Sequence, residues 1–224
     1  MINQSKIFEV YEKKLGRRTL LYTTNLVPRK TVYDERLVRQ KGIEYREWNP
    51  RKSKLAAAIL KGCTNIGLRK NDIVLYLGAA SGTTPSHVSD IAGKDGFVFA
   101  LDFAPRVVRD LVYVCESRTN MAPLLADANK PLSYSDKICE VDFIYQDIAH
   151  KNQADIFLKN CRLFLKKGGF AAVAVKSRSV DVTKKPSKVY KQVREQLEKE
   201  LTIIDFRTLE PFEMDHCFFV CKKK

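Results

Sequence analysis

Paired cysteines are missing from this 224-residue chain. Its six cysteines (Cys63, Cys115, Cys139, Cys161, Cys217, Cys221) include no CxxC pair, and no histidine lies at ligand spacing from them. That pattern argues against a zinc site or a redox motif and predicts buried, reduced thiols, with no metal. Cys217 and Cys221, four apart in an apolar run, fall on one face of a strand. Long hydrophobic runs are also missing. None approaches the roughly 18 residues needed to cross a bilayer, and the start MINQSKIFEV has no apolar signal segment, so the expectation is a soluble, cytoplasmic chain with no membrane partner. There is no internal repeat, no low-complexity tract and no Gly/Ser linker, so the 45% hydrophobic composition is available to one core with a small appendage. Acidic residues are outnumbered: 40 Lys and Arg against 26 Asp and Glu give a net charge of +14. Such an excess favours a polyanionic partner through counterion release; RNA, DNA and an anionic membrane surface all satisfy it.

The texture changes near residue 48. Before it, short apolar stretches (IFEVYE, TLLYTTN, TVYDERLV, IEYREW) broken by Gly16, Pro28 and Gly42 predict β-hairpins in a small N-terminal module, residues 1–50. After it, strand-length apolar runs at 72–78, 97–103, 122–127, 141–147 and 170–176 alternate with amphipathic helical patterns. Runs apolar on both faces, separated by helices, predict a parallel sheet covered on both sides. Thr84 reads as the cap of a helix opening at Pro85 and closing at Gly93; further helices are expected over about 105–117, 153–166 and 184–200. Two final strands, LTIIDFRTL and CFFVCKK, are placed to pair antiparallel at the edge. The expectation for residues 51–224 is a doubly wound, Rossmann-like α/β domain.

In an open sheet of this kind, ligands bind beyond the carboxyl ends of the strands. The first such strand runs into Gly78-Ala79-Ala80-Ser81-Gly82-Thr83-Thr84. Its glycines let backbone approach a ligand, while Thr83 and Thr84 offer hydroxyls and helix-start N–H groups. The loop is neither GxGxxG nor a Walker A motif, and alone it reads either as a nucleotide-like cofactor loop or as a tight structural turn. The second strand ends at Asp102, about 20 residues on, where a carboxylate would accept from both ribose hydroxyls of an adenosine; Phe103 would lie against the base. The third ends in Asp127-Ala128-Asn129, where a carboxylate would accept from the adenine amine. Any one of these aspartates reads equally as a helix cap; three in series point to a pocket.

The fourth strand ends at Asp147 and the fifth at Lys176. Lysine is rare at the end of a buried strand unless paired or functional, and Asp147 is its expected partner, as a catalytic pair or a structural one. Lys54, before an Ala-rich helix, and His216, opening the last strand, read by themselves as a solvated first-turn residue and a core histidine; His87 and His150 likewise read as structural. Arg178, Lys184, Lys185 and Lys188 follow the fifth strand, with Lys191 and Arg194, and form either a phosphate-binding surface or a solvated face with i,i+4 ion pairs to Glu195, Glu198 and Glu200.

Taken together, NPRKSKLAAAI (49–59), YLGAASGTTPSHVSDI (76–91), ALDFAPR (100–106), DANKP (127–131), YQDIAH (145–150), AVKSRSVD (174–181) and PFEMDHCFFV (211–220) resemble the fibrillarin family in its short archaeal-type form, over almost the whole chain. The resemblance implies a seven-stranded, mostly parallel methyltransferase sheet with an antiparallel edge pair. It also implies an S-adenosylmethionine-dependent RNA ribose 2′-O-methyltransferase of the box C/D ribonucleoprotein. Lys54, Asp147, Lys176 and His216 match the family's catalytic tetrad. Thr83, Thr84, Asp102, Phe103, Asp127, Ala128 and the stretch Asp147, Ile148, Ala149, His150 match its cofactor contacts; Gly78 and Ala80 belong to the same loop. Implied partners are a guide RNA and its substrate RNA, a coiled-coil Nop-domain scaffold protein and a kink-turn-binding protein. Three residues depart from the family pattern: Asp102 where Glu is usual, Pro85 where Val is common and His150 where Gln is common. The shorter Asp102 predicts a looser ribose contact.

Rival readings are distinguishable. A nicotinamide dehydrogenase would need GxGxxG, and a non-catalytic RNA-binding subunit has no use for an adenosine pocket beside an Asp–Lys pair. A protein methyltransferase would share the cofactor half and differ only at Lys54, Asp147, Lys176 and His216.

Overall fold

A computed structural model describes residues 1–224. Five antiparallel strands come first: β1 (Asn3–Gln4), β2 (Val10–Leu15), β3 (Arg18–Thr24), β4 (Leu37–Gln40) and β5 (Ile43–Trp48), in the spatial order β1-β2-β3-β5-β4. Two-residue turns close two of the hairpins. In the Lys41–Gly42 turn φ is 50° and 81°, the positive pair that a type I′ turn demands.

The rest alternates strand and helix: α1 (Lys54–Leu60), β6 (Ile73–Leu77), α2 (Thr83–Ala92), β7 (Phe97–Asp102), α3 (Pro105–Cys115), β8 (Met121–Leu125), β9 (Val141–Gln146), α4 (Gln153–Phe164), β10 (Leu165–Lys176), the short α5 (Ser177–Val180), α6 (Pro186–Glu198), β11 (Leu201–Thr208) and β12 (His216–Lys223). These seven strands form one sheet in the order β11-β12-β10-β9-β6-β7-β8, parallel except where β12 runs against both its neighbours. The expected antiparallel pair is therefore present, with the last strand inside the sheet and β11 at its edge.

Several boundaries move. Helix α2 begins at Thr83, ahead of the expected Pro85, because Gly82 at φ 95° serves as the cap and Thr84 lies inside the first turn. Pro85 then falls in the first turn, where a missing N–H costs nothing. Helix α4 stops at Phe164 and passes directly into β10, which starts at Leu165; the Gly168–Gly169 pair sits within an irregular strand register between Leu165 and Phe170. Helices α3 and α6 are each about two residues shorter at their C-terminal ends than the sequence pattern suggests.

Alternating side chains of the central strands feed two cores. Val74, Tyr76, Phe143, Tyr145, Ala172 and Ala174 pack with α1, α2 and α3 on one face, while Leu75, Leu77, Ile144, Ala171, Val173 and Val175 pack with α4 and α6 on the other. The first core continues into the N-terminal sheet through Ile7, Val10, Leu21 and Trp48. A polar network seals that junction. The wholly buried Arg46 of β5 donates to Glu35, to Ser86 and to Asp90 of α2, and Asp90 also accepts from Arg118 and Thr23. His87 of α2 stacks on Trp48, with its two ring nitrogens 2.8 Å from Thr23 Oγ1 and from Tyr33 Oη. Desolvation, then the neighbouring Arg46 and Arg118, hold its pKa well below the ordinary histidine value, so it is a neutral structural group. Of the six thiols five are buried and Cys139 is exposed; Cys217 and Cys221 share one face of β12, as their spacing requires.

Candidate active site

From β6 the chain builds β7 and β8 on one side and then returns to build β9 on the other, so the strand order reverses between β6 and β9. Their tips are locked together there: Asp147 N donates to Leu77 O at 2.9 Å, and a Cβ on Gly78 would sit 2.2 Å from the Asp147 carbonyl oxygen. Gly78, at φ 84°, is thus required by the approach of β9. The space a Cβ on Gly82 would take faces Leu111 and Val114 of α3. Both glycines are thus committed to packing within the protein. Both fix the loop's path.

A cavity of about 510 Å³ opens beyond these tips. Its walls include Gly78, Ala80, Asp102, Phe103, Asp127, Ala128, Asp147, Ile148, Ala149 and His150, every expected cofactor residue except Thr83 and Thr84; Leu101, Asn129 and Ile156 complete the lining. The two threonines stand instead in the first turn of α2, which has no side-chain cap, so its leading N–H groups lack intrahelical partners. Asp102 is nearly buried and already employed: its two oxygens accept from Ala80 N at 2.9 Å and Ala104 N at 3.1 Å. The carboxylate therefore holds the loop to β7, and only its remaining lone pairs face a ligand. Phe103, by contrast, is 75% exposed, with a ring face free for stacking. Asp127 Oδ1 accepts from Asn129 N, and His150 Nδ1 accepts from Asn152 N.

Asp147 is paired, but with Lys54: Nζ lies 2.9 Å from Oδ2. Ser53 caps α1 by accepting from Ala56 N, which sets Lys54 in the first turn over the β9 tip. Burial presses the Lys54 pKa down, and the attraction of Asp147, with a smaller pull from Glu213, more than reverses this, so the net shift is upward and the amine stays charged. Lys176, expected as the Asp147 partner, is exposed and makes no side-chain hydrogen bond or ion pair; that expectation is corrected. Lys176 instead faces His216, its cross-strand neighbour in the β10–β12 register. His216 is buried, with Nδ1 2.7 Å from Met214 O. A carbonyl only accepts, so that nitrogen carries the proton and Nε2 is the ring atom left for the site.

One residue went unnoticed in the sequence. Gln153, fully buried at the start of α4, donates to His150 O and to Lys176 O, while its Oε1 accepts from Lys176 N. Gln146 in turn donates to the Gln153 carbonyl. Gln153 thereby ties the 147–150 segment to the end of β10. The only hint was a polar residue opening an apolar helix directly after YQDIAH.

Among the expected RNA contacts, Arg178 pairs with Asp215 and Lys184 with Asp181, whereas Lys185 and Lys188 are exposed and unpaired. On α6 the i,i+4 pair is Arg194–Glu198; Glu200 pairs with Arg162 of α4. No His, Cys, Asp and Glu side chains gather in a group that could hold a metal ion, and no helix is long and apolar enough to cross a membrane.

Comparison with known proteins places the chain among relatives of one family. The fibrillarin family model matches residues 1–224. A fibrillarin-like rRNA/tRNA 2′-O-methyltransferase of Thermococcus onnurineus is 50% identical over 201 residues, covering 90% of this chain and 89% of that protein. The structure of Aeropyrum pernix fibrillarin with natively bound S-adenosyl-L-methionine superposes with a TM-score of 0.91 at 44% identity, over 99% of this chain and 97% of that one. The fibrillarin subunit of a fibrillarin/Nop5p complex gives a TM-score of 0.85 at 41% identity, over 92% and 94%.

Proposed function

The chain belongs to the fibrillarin family and is an S-adenosylmethionine-dependent RNA ribose 2′-O-methyltransferase, and from that premise we propose that Lys54, Asp147, Lys176 and His216 perform the transfer. The observation that carries the assignment is their convergence: the Lys54–Asp147 ion pair at the β9 tip borders the cavity, and the Lys176–His216 pair stands on the adjoining strands.

The cavity suits the cofactor. Phe103 offers a free ring face for adenine, Asp127 an exposed carboxylate for its amine, Asp102 its remaining lone pairs for ribose, and the open first turn of α2 at Thr83 and Thr84 an anion site for the carboxylate. S-adenosylmethionine supplies an electrophilic sulfonium methyl with a neutral leaving group. What remains for the protein is in-line placement of the hydroxyl and removal of its proton. Lys176, bound to no carboxylate, orients the 2′-hydroxyl and, in its neutral amine form, takes the proton onto its Nζ lone pair as the methyl is transferred, becoming the ammonium. Asp147 fixes the charged Lys54, which with His216 Nε2 forms the polar wall around the ribose and balances developing charge.

Target choice lies outside this chain. A guide RNA pairs with the substrate, in pre-rRNA or tRNA, a coiled-coil Nop-domain scaffold holds the enzyme and a kink-turn-binding protein completes the particle. The complex of a 41% identical relative with Nop5p supports the scaffold. Lys185 and Lys188, with Arg178 and Lys184 in reserve behind their ion pairs, contribute phosphate contacts beside the site.

The test is methyl transfer from labelled cofactor to guide-paired RNA, with a substrate carrying 2′-deoxyribose at the target. Equal labelling of the deoxy substrate would refute ribose methylation. Wild-type rates from Lys176→Ala and Asp147→Ala would refute the site.

A further inference from the structure

A second concavity, about 580 Å³, is lined by the N-terminal sheet, the turn before α1, the end of α1 and the β11–β12 connection. Its floor is apolar, formed by Leu20, Trp48, Leu60 and Phe212. Its rim carries three arginines: Arg17 from the β2–β3 turn, Arg18 from the start of β3 and Arg51 from the turn before α1. All three are exposed, and none forms an ion pair or a side-chain hydrogen bond. Glu47 is the only carboxylate in the lining, so the groove is strongly cationic.

This differs from the basic stretch after β10. There Arg178 and Lys184 are held by Asp215 and Asp181, and any phosphate must compete with a carboxylate already in place. Arg17, Arg18 and Arg51 form no such pair, although Glu47 lies in the same lining. Cationic rim and apolar floor also match the two halves of a nucleotide, with guanidinium forks meeting phosphate oxygens and a half-buried aromatic ring, Phe212, meeting sugar or base. The groove and the site share two chain segments. Arg51 lies three positions before Lys54, which caps their Cα separation at about 11 Å, and Phe212 adjoins Glu213, whose charge acts on Lys54.

We propose that the groove rimmed by Arg17, Arg18 and Arg51 binds the phosphodiester backbone of the substrate RNA strand where it runs out of the active site. The proposal rests on the ribose-methyltransferase reading, and it assigns to the N-terminal sheet a share of the substrate. An acidic protein segment is the competing occupant of a cationic groove.

The experiment compares the unmodified chain with Arg17→Gln/Arg18→Gln/Arg51→Gln and with Lys185→Gln/Lys188→Gln. Affinity for a labelled single-stranded oligouridylate is measured across a salt series, and polyglutamate is titrated in parallel. Each lost phosphate contact lowers the slope of log affinity against log salt by about 0.7 for a single strand. The expected result is a slope reduced by up to about 2 in the arginine variant, with S-adenosylmethionine affinity unchanged as the control for folding. An unchanged slope overturns the proposal. So does a loss of polyglutamate binding with RNA binding intact, which would give the groove to an acidic protein. Failure of the unmodified chain to methylate a ribose hydroxyl would refute the enzymatic reading and would leave this slope measurement unaffected.

Discussion

At the scale of single residues, the two lysines of the site have unequal structural duties. Lys54 neutralises a carboxylate that is three-quarters buried, its side chain 24% exposed, whereas Lys176 neutralises nothing. Lys54→Met should therefore lower both methyl transfer and thermal stability, the latter by about 1 kcal/mol, since partial exposure discounts the buried-pair value. Lys176→Met should lower transfer by a similar factor, roughly 10²–10⁴ for a lost proton-transfer group, with stability unchanged to within about 0.5 kcal/mol. Single-turnover kinetics alongside thermal melts separates them, and an equal stability loss in both variants would contradict the pairing. Gln153→Ala should slow turnover by roughly tenfold, because it frees Lys176 while stranding buried backbone groups. Unaltered turnover of a folded Gln153→Ala protein would show that the clamp on Lys176 is not needed. The places of Asp147 and Lys176 at neighbouring strand ends were legible because apolar periodicity says where a strand stops. Their pairing was not, since Lys54 reaches Asp147 from a helix 93 residues away in sequence. Gln153 was illegible for another reason: a glutamine opening a helix looks solvated until its three backbone partners are seen.

Helices and strands tell a related story. Helix α2 joins the cofactor loop at one end to the N-terminal sheet along its flank, through His87 stacked on Trp48 and Asp90 bound to Arg46. Breaking a buried charge pair from one side costs about 3–5 kcal/mol, so Arg46→Met should sharply lower the melting temperature by stranding Glu35 and Asp90. The neutral His87 sets a pH dependence. Its folded pKa is depressed below the unfolded value near 6.5, so its stability contribution is complete above that pH and falls as the pH drops toward the folded value. The slope approaches about 1.4 kcal/mol per pH unit for the one proton involved. Denaturant melts between neutral and mildly acidic pH should show this loss, and His87→Gln should flatten it. The alternation of strands and helices was readable from apolar periodicity alone. Boundaries shifted where glycine intervened: Gly82 took the capping role assigned to Thr84, and Gly168–Gly169 let the chain leave α4 straight into β10.

For the molecule as a whole, the sequence marks a change of texture near residue 48 but does not show that one core spans it. Ile7, Val10, Leu21 and Trp48 pack in the same cluster as Leu55, Val88 and Tyr145. Unfolding should accordingly be a single cooperative transition, checked by agreement of calorimetric and van't Hoff enthalpies; two resolved transitions would show that the junction is weaker than its buried network implies. The +14 net charge was legible at once, whereas its distribution was not, because only folding sorts cations held by carboxylates from those left open at Arg17, Arg18 and Arg51. The insertion of β12 between β10 and β11 bears on time as well as space. Residues lining the cofactor cavity all precede residue 157, yet His216 joins Lys176 only when the final strand enters the middle of the sheet. On the ribosome, then, the pocket's residues emerge long before His216 can stand beside Lys176. On the proposed roles, the cofactor side of the site is made before the residues that handle the hydroxyl can meet.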